Sequence, residues 1–101
     1  MAQKPAPTPQ PLSLEGDLDI FAIHAQWERI QPLLGVQEGT ASLDLAGVGD
    51  LDLSGVQMLM ALERDLRAKG IRLALTGVRP EWGDRFRPLG LGEVFQGEAA
   101  P

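Results

Sequence analysis

The strongest constraint on the fold is the order in which strand-like and helix-like patterns alternate along the chain. Residues 12–14, 41–46 and 71–76 alternate apolar and polar side chains, which is typical of strands. Stretches with helical periodicity fill the intervals between them. Strands separated by helices of this length imply right-handed crossovers, which place the strands side by side and parallel. The sequence therefore predicts an α/β fold with a small, mostly parallel β-sheet and helices packed against it.

The first helical stretch covers residues 21–34 and is interrupted near its end. Its apolar residues recur at intervals of three and four and therefore share one face: Ile23, Trp27, Ile30 and Leu34. Pro32 lacks the amide hydrogen that a helix interior requires, so we expect the helix to kink or end near Gln31.

Glycine and proline mark the remaining boundaries. Gly16 and Asp17 predict a bend after the first strand, and residues 47–50 predict a turn before the second helix. Pro80 suits the first turn of a third helix over residues 81–87. The end of the chain, with Leu91, Val94 and Phe95, is expected to pack back on the core. Most of the five aromatic side chains are better explained as core than as a stacking platform for bases; the five are Phe21, Trp27, Trp82, Phe86 and Phe95.

The second helix, predicted to extend to Lys69, has an apolar face that leaves two residues unexplained. Its core face consists of Gly55, Leu59, Leu62 and Leu66, with Met58 at the edge. Val56 and Met60 project onto a different face. Either they are isolated surface residues, which are common, or they form a partner-binding patch with Gln57.

The two ends of this helix carry residues that are typical of helix termini. Asp52 and Ser54 both have side-chain oxygens that accept hydrogen bonds from free amides, so either is expected to be the N-cap. Gly70 is expected to close the helix.

Composition excludes several classes of function. The chain of 101 residues has 14 acidic and 9 basic residues and a net charge of −5, which disfavours binding to nucleic acid or anionic lipid. The absence of cysteine excludes disulfides and thiolate chemistry.

We see neither a signal peptide nor a membrane-spanning stretch, so we expect a cytoplasmic protein without direct membrane insertion. Its length suits one domain, which we place at residues 12–95, between a Pro-rich flexible tail at 1–11 and a flexible tail at 96–101.

Residues that usually carry catalysis or bind metal are sparse. His24 lies among polar positions of the first helix, where a solvated side chain is the simpler interpretation. Asp44, Asp50 and Asp52 offer carboxylates to a cation, but acidic residues in such segments more often cap helices or face water. No glycine pattern for a nucleotide phosphate is present. We therefore expect no enzymatic activity, no cofactor and no metal, against the alternative of an enzyme or nucleotide-binding domain.

Three sequence motifs follow one another in a fixed order across residues 14–95. They are GDLD at 16–19, LDLAGV followed by LDLSGV between 43 and 56, and IRLALTGV at 71–78 with LGL at 89–91. This series resembles the STAS family, named for sulfate transporters and anti-sigma factor antagonists. Its members show a Gly-acidic-Leu-Asp turn, then L-D-L-S-G-V and I-D-S-S-G-L, and a closing Gly-Val turn. The resemblance implies a STAS-like fold and a function in protein–protein association.

The resemblance also implies a switch residue. In anti-sigma factor antagonists, the serine before the glycine of D-S-S-G is phosphorylated by a partner kinase, and only the unphosphorylated form binds that partner. Ser54 occupies this position, followed by Gly55, and Asp52 matches the aspartate of the motif. Asp19 matches an acidic residue that lies near the site in the family. The simpler interpretation is that Ser54 only caps the helix.

Two departures from the family pattern keep an alternative open. Leu53 replaces the first serine of the motif, as in family members found with chemotaxis proteins and with ABC systems for lipid transport. The family's first strand would fall in the Pro-rich tail, so this edge strand is either lost or short.

The leading hypothesis is a switch whose partner is an anti-sigma factor or serine-kinase-like protein, or a chemotaxis signalling protein. The alternative is an accessory subunit that docks on a transporter ATPase.

Overall fold

A computed structural model describes residues 11–91 and 93–96 of the chain. Three parallel strands, Leu12–Leu18 (β1), Thr40–Leu51 (β2) and Arg72–Thr76 (β3), lie side by side with β2 in the centre. The predicted α/β class and parallel sheet are confirmed. The helices are Ile23–Ile30 (α1), Leu53–Arg67 (α2), Pro80–Phe86 (α3) and Glu93–Gln96 (α4), with short 3₁₀ helices at Gln31–Gly35 and Arg87–Leu89. Residues 1–10, where the family's first strand would fall, and residues 97–101 lie outside the described part.

The strand β2 is longer than predicted because it continues through the glycine-containing stretch at 47–50. The partner strand β1 accompanies it as far as the pair Leu18 and Leu51, with two register irregularities on the way. Asp17 Oδ1 accepts a hydrogen bond of 2.9 Å from the amide of Asp50, and a Cβ at Gly49 would lie 2.5 Å from that oxygen. Gly49 thus leaves room for the Asp17 carboxylate, and a Cβ at Gly47 would lie 2.9 Å from the carbonyl oxygen of Leu14 in β1. The predictions of a turn here and of a bend at 16–17 are wrong.

Proline ends the first helix as predicted. The α-helix α1 stops at Ile30, and Pro32 lies in the first turn of the 3₁₀ helix that follows. The buried amide of Gln26 fastens α1 to β1, because its Nε2 donates to the carbonyls of Glu15 and Asp17 at 2.8 and 3.0 Å. Among the described residues β1 is an edge strand of the sheet, and these two carbonyls belong to its irregular part.

The core lies between the sheet and the helices. The leucines of the three strands alternate inward, and the predicted face of α2, including Leu59, Leu62 and Leu66, packs onto them. The predicted packing of the chain end is also confirmed: Val94 and Phe95 are buried, and the Phe95 ring lies 6.1 Å from that of Trp82.

The helix α2 buries a wider face than the sequence projection indicated. Val56 is 0% exposed, so its predicted place in a surface patch is wrong, whereas Met60 is 38% exposed. The buried residues, which run from Met58 to Val56 around the helix, span an arc of about 160° at 100° per residue. A projection does not show what covers each face of α2, and both α1 and α4 contact this helix.

The burial of Val56 generates a paired prediction on stability. Val56→Asp places an unpaired carboxylate in the core and should lower the free energy of unfolding by about 3–5 kcal/mol. Met60→Asp, one turn further along the same helix, should lower it by no more than about 1 kcal/mol, since the carboxylate stays in water. Urea denaturation followed by circular dichroism measures both. Equal losses in the two variants would contradict the assigned orientation of α2.

Candidate functional site

The ends of β1 and β2 bring the predicted site residues together. Leu18 pairs with Leu51 at the ends of these strands, and the amide of Asp52 donates to the carbonyl of Leu18 at 3.1 Å. The loop of residues 19–22, which leads into α1, therefore lies against the first turn of α2. Because parallel strands end at the same edge, Asp19 and Asp52 are neighbours in space although 33 positions separate them in the sequence.

Asp52 is the N-cap of α2, and its two oxygens serve different elements. Oδ1 accepts from the amides of Ser54 and Gly55 at 2.8 and 3.3 Å, which satisfies two of the free donors of the helix. Oδ2 accepts from the amide of Ile20 at 3.2 Å. The sequence had left the cap open between Asp52 and Ser54, and the geometry assigns it to Asp52.

Asp19 organises its own loop. Its Oδ1 accepts from the amides of Phe21 and Ala22 at 3.0 and 2.9 Å, which turns the chain into α1. The side chain therefore acts locally, and its connection with the helix α2 runs through Ile20 and Asp52.

Ser54 is the second residue of α2 and lines a groove between α1 and α2. The side chain is half-buried. The groove has a volume of about 430 Å³, and the residues that line it are Ile23, His24, Trp27, Ser54, Gln57, Met58 and Ala61. The predicted contact residue Gln57 therefore lies in the same groove as Ser54. Met60 is exposed but belongs to the outer face of the helix, away from the groove lining.

Three exposed apolar side chains next to Ser54 were missed by the sequence analysis. Ile20 is 63% exposed, Phe21 94% and Leu53 44%. Phe21 is an exception to the prediction that most aromatic residues lie in the core, and a helical projection points it away from the face of Ile23 and Trp27. We call Ile20, Phe21, Leu53 and the groove lining together the Ser54 surface. Large apolar side chains that gather at one place are typical of protein contact sites.

Acidic and basic side chains reach this edge of the sheet from different elements. Asp17 and Asp50 lie next to the last residues of β1 and β2, and Asp19 and Asp52 directly follow these strands. Two arginines approach from α3 and its entry loop and bind main-chain carbonyls of β2. Arg79 donates to Val48 and Gly49 at 2.6 and 2.9 Å, and Arg85 donates to Leu51 at 2.9 Å.

The titratable residues that the sequence singled out face water or bond to the backbone. His24 is solvated and lies 3.1 Å from Glu28 on the same helix. Among the residues that the structure describes, no group of three or more His, Cys, Asp or Glu side chains could hold a metal ion. The carboxylates of Asp44 and Asp52 are instead engaged with backbone amides.

Gly55 holds the start of α2 close to the end of β1. A Cβ at this position would lie 2.4 Å from the carbonyl oxygen of Leu18 and 2.6 Å from Leu51 Cδ1. Contacts this short would force the helix away from the two strand ends. Glycine is thus required here for close approach, and it sets the distance between Ser54 and the loop of residues 19–22.

The tight contact at Gly55 predicts opposite effects for two glycine-to-alanine changes in helices. Gly55→Ala should lower the free energy of unfolding by about 1–3 kcal/mol, because a Cβ has no room. Gly83→Ala in α3 should raise it by about 0.5–1 kcal/mol, since its Cβ would meet only Arg87 Nη2 at 3.7 Å and alanine favours the helix. Thermal and urea denaturation of both variants provide the measurement. A stabilising Gly55→Ala would show that α2 does not rest on the strand ends as described.

A model of a known protein family matches most of the chain. The family model described as "Mlab, STAS domain" matches residues 1–96. No curated protein matches the chain. Within the described residues, every helix is too short or too polar to cross a membrane.

Proposed function

The chain belongs to the STAS domain family, and on that premise we propose that it is a protein-interaction switch controlled at Ser54. STAS domains in general are protein-interaction modules without enzymatic activity. In the proposal, a partner protein binds the Ser54 surface, and a phosphate on Ser54 abolishes this binding.

The position of Ser54 is the observation that carries the proposal. Its half-buried side chain lies at the start of α2, between the exposed apolar residue Leu53 and the groove that contains Trp27. A phosphate would add about −1.5 to −2 charge at this point. A partner that covers Leu53 and the groove would have to desolvate that charge, which is costly unless it is paired. The unmodified hydroxyl imposes no such cost.

The chemistry of the modification requires a kinase and a nucleoside triphosphate. Ser54 Oγ would attack the γ-phosphorus, forming an Oγ–P bond while the bond to the β–γ bridging oxygen breaks. The nucleoside diphosphate leaves, and the hydroxyl proton passes to a base of the kinase. The first turn of α2 tolerates the product because a helix N-terminus favours negative charge.

The family resemblance supports two classes of partner for this surface. One is an anti-sigma factor or serine-kinase-like protein, and the other is a chemotaxis signalling protein. Both would be proteins that bind only the unphosphorylated domain. Phe21, Leu53 and Gln57 are the side chains of the Ser54 surface that we propose as contacts, in place of the buried Val56. In the proposal, the contact extends beyond this surface to Met60 on the outer face of α2.

The first test replaces the proposed switch residue. Wild type, Ser54→Ala and Ser54→Glu are used as baits in the native host, partners are identified by mass spectrometry, and Ser54 is examined for phosphate. We expect a kinase-like or chemotaxis partner on Ser54→Ala, at least about tenfold less of it on Ser54→Glu, and phosphate on the wild type. A transport ATPase recovered equally on all three baits, with Ser54 unmodified, would favour the accessory-subunit alternative.

The second test concerns the exposed aromatic anchor. Phe21→Asp should weaken binding of the identified partner by about tenfold or more, because central aromatic residues dominate protein interfaces. Leu89→Asp is the matched control, since Leu89 is 63% exposed and lies on the 3₁₀ helix Arg87–Leu89, outside the Ser54 surface. Calorimetry gives both dissociation constants. Equal binding by Phe21→Asp and wild type would remove the loop from the contact surface.

A further inference from the structure

We propose that the phosphate acts on the loop of residues 19–22 through Asp52, in addition to its direct effect on a partner. Phosphorylation of Ser54 would break the hydrogen bond from the Ile20 amide to Asp52 Oδ2 and so release the loop that presents Ile20 and Phe21. This inference rests on the proposed function because it takes Ser54 as the modified residue.

Asp52 is suited to such a relay because one carboxylate joins two elements. Oδ1 holds the amides of Ser54 and Gly55 in α2, and Oδ2 holds the amide of Ile20 in the loop. Any displacement of the carboxylate that changes the helix cap therefore also changes the bond to the loop. The three bonds differ in exposure: those from Ser54 N and Gly55 N, at 2.8 and 3.3 Å, are part-buried, whereas that from Ile20 N, at 3.2 Å, is exposed.

A phosphate on Ser54 competes directly with Asp52. It carries three acceptor oxygens on the second residue of the helix, within reach of the same first-turn amides that Asp52 Oδ1 accepts from. The two anions also repel each other, because the residues that carry them are two positions apart at one helix terminus. Asp52 must therefore shift, and the shift breaks the exposed bond from Ile20, since this bond joins Asp52 to a separate element that does not move with α2.

The consequence for the loop is a change of position with its internal turn preserved. Asp19 Oδ1 still accepts from Phe21 and Ala22, and the carbonyl of Asp19 still accepts from Ala22 at 3.1 Å. The turn therefore stays formed but is no longer fastened to α2. Ile20 and Phe21 then separate from Leu53 and the groove, which divides the Ser54 surface into two parts.

The experiment needs no partner protein. Phosphoserine is incorporated at position 54 by genetic encoding, and amide hydrogen exchange of the ¹⁵N-labelled full chain is measured by NMR. We expect exchange at Ile20 to accelerate about three- to tenfold, the factor that corresponds to one net hydrogen bond. The amides of Phe21, Ala22 and Asp50 serve as internal controls and should not change, since Asp19 and Asp17 hold them. Ser54→Ala should match the wild type at Ile20.

Asp52→Asn provides a matched variant. Asparagine keeps the one oxygen that caps α2 but presents an NH₂ group, which cannot accept, towards Ile20. Ile20 exchange should therefore rise without any phosphate, and phosphoserine at position 54 of this variant should add no further increase. An unchanged Ile20 amide in the phosphorylated wild type would overturn the relay, whichever way Asp52→Asn behaves.

The relay and the switch fail in distinguishable ways. The same phosphorylated sample is tested for binding to the partner recovered on Ser54→Ala. Loss of binding with an unchanged Ile20 amide would overturn the relay and leave the Ser54 switch intact. Faster exchange at Ile20 with full binding retained would support the relay and contradict the switch.

Discussion

The close contact between the end of β1 and the first turn of α2 is the constraint on which the site depends. The amide of Asp52 bonds to the carbonyl of Leu18, and Gly55 leaves no room for a Cβ above that same carbonyl. These two features place the helix start directly on the strand ends. The cap by Asp52, the position of Ser54 and the approach of the loop of residues 19–22 all follow from that placement. If α2 were displaced by the width of one methyl group, Ser54 and the first turn of α2 would separate from the loop of residues 19–22.

Much of the fold could be predicted because its determinants are local. Three of these determinants specify structure within a few residues of themselves: the alternation in the strands, Pro32 at the end of α1, and the leucines of α2. The turn predicted at 47–50 failed for the opposite reason. Glycines there serve the approach of another strand, and a sequence pattern does not distinguish a glycine that permits a turn from one that permits a contact.

The candidate site could be predicted only in part, for the same physical reason. Ser54, Asp52 and Asp19 were found because a motif names them, but the bridge from Asp52 to Ile20 joins elements 32 residues apart and leaves no local pattern. Val56 was placed wrongly on the surface, and the exposure of Phe21 was not predicted. A helical projection shows which residues share a face, yet what covers that face is decided by elements elsewhere in the chain. The buried Val56 and the exposed Phe21 both reflect tertiary packing that the projection omits.

The position of Ser54 also explains how a small domain could be switched without being unfolded. A domain of this size has about 5–15 kcal/mol of stability, so a charge added to its core would remove a large part of it. Ser54 instead lies one residue before Gly55 and two before the buried Val56, at the rim where the core ends. The leucines beneath it, Leu18 and Leu51, are held by strand pairing and do not depend on the serine. Modification at this position therefore alters what a partner meets and how the neighbouring loop is fastened, while the sheet and the helix packing that support the surface remain in place.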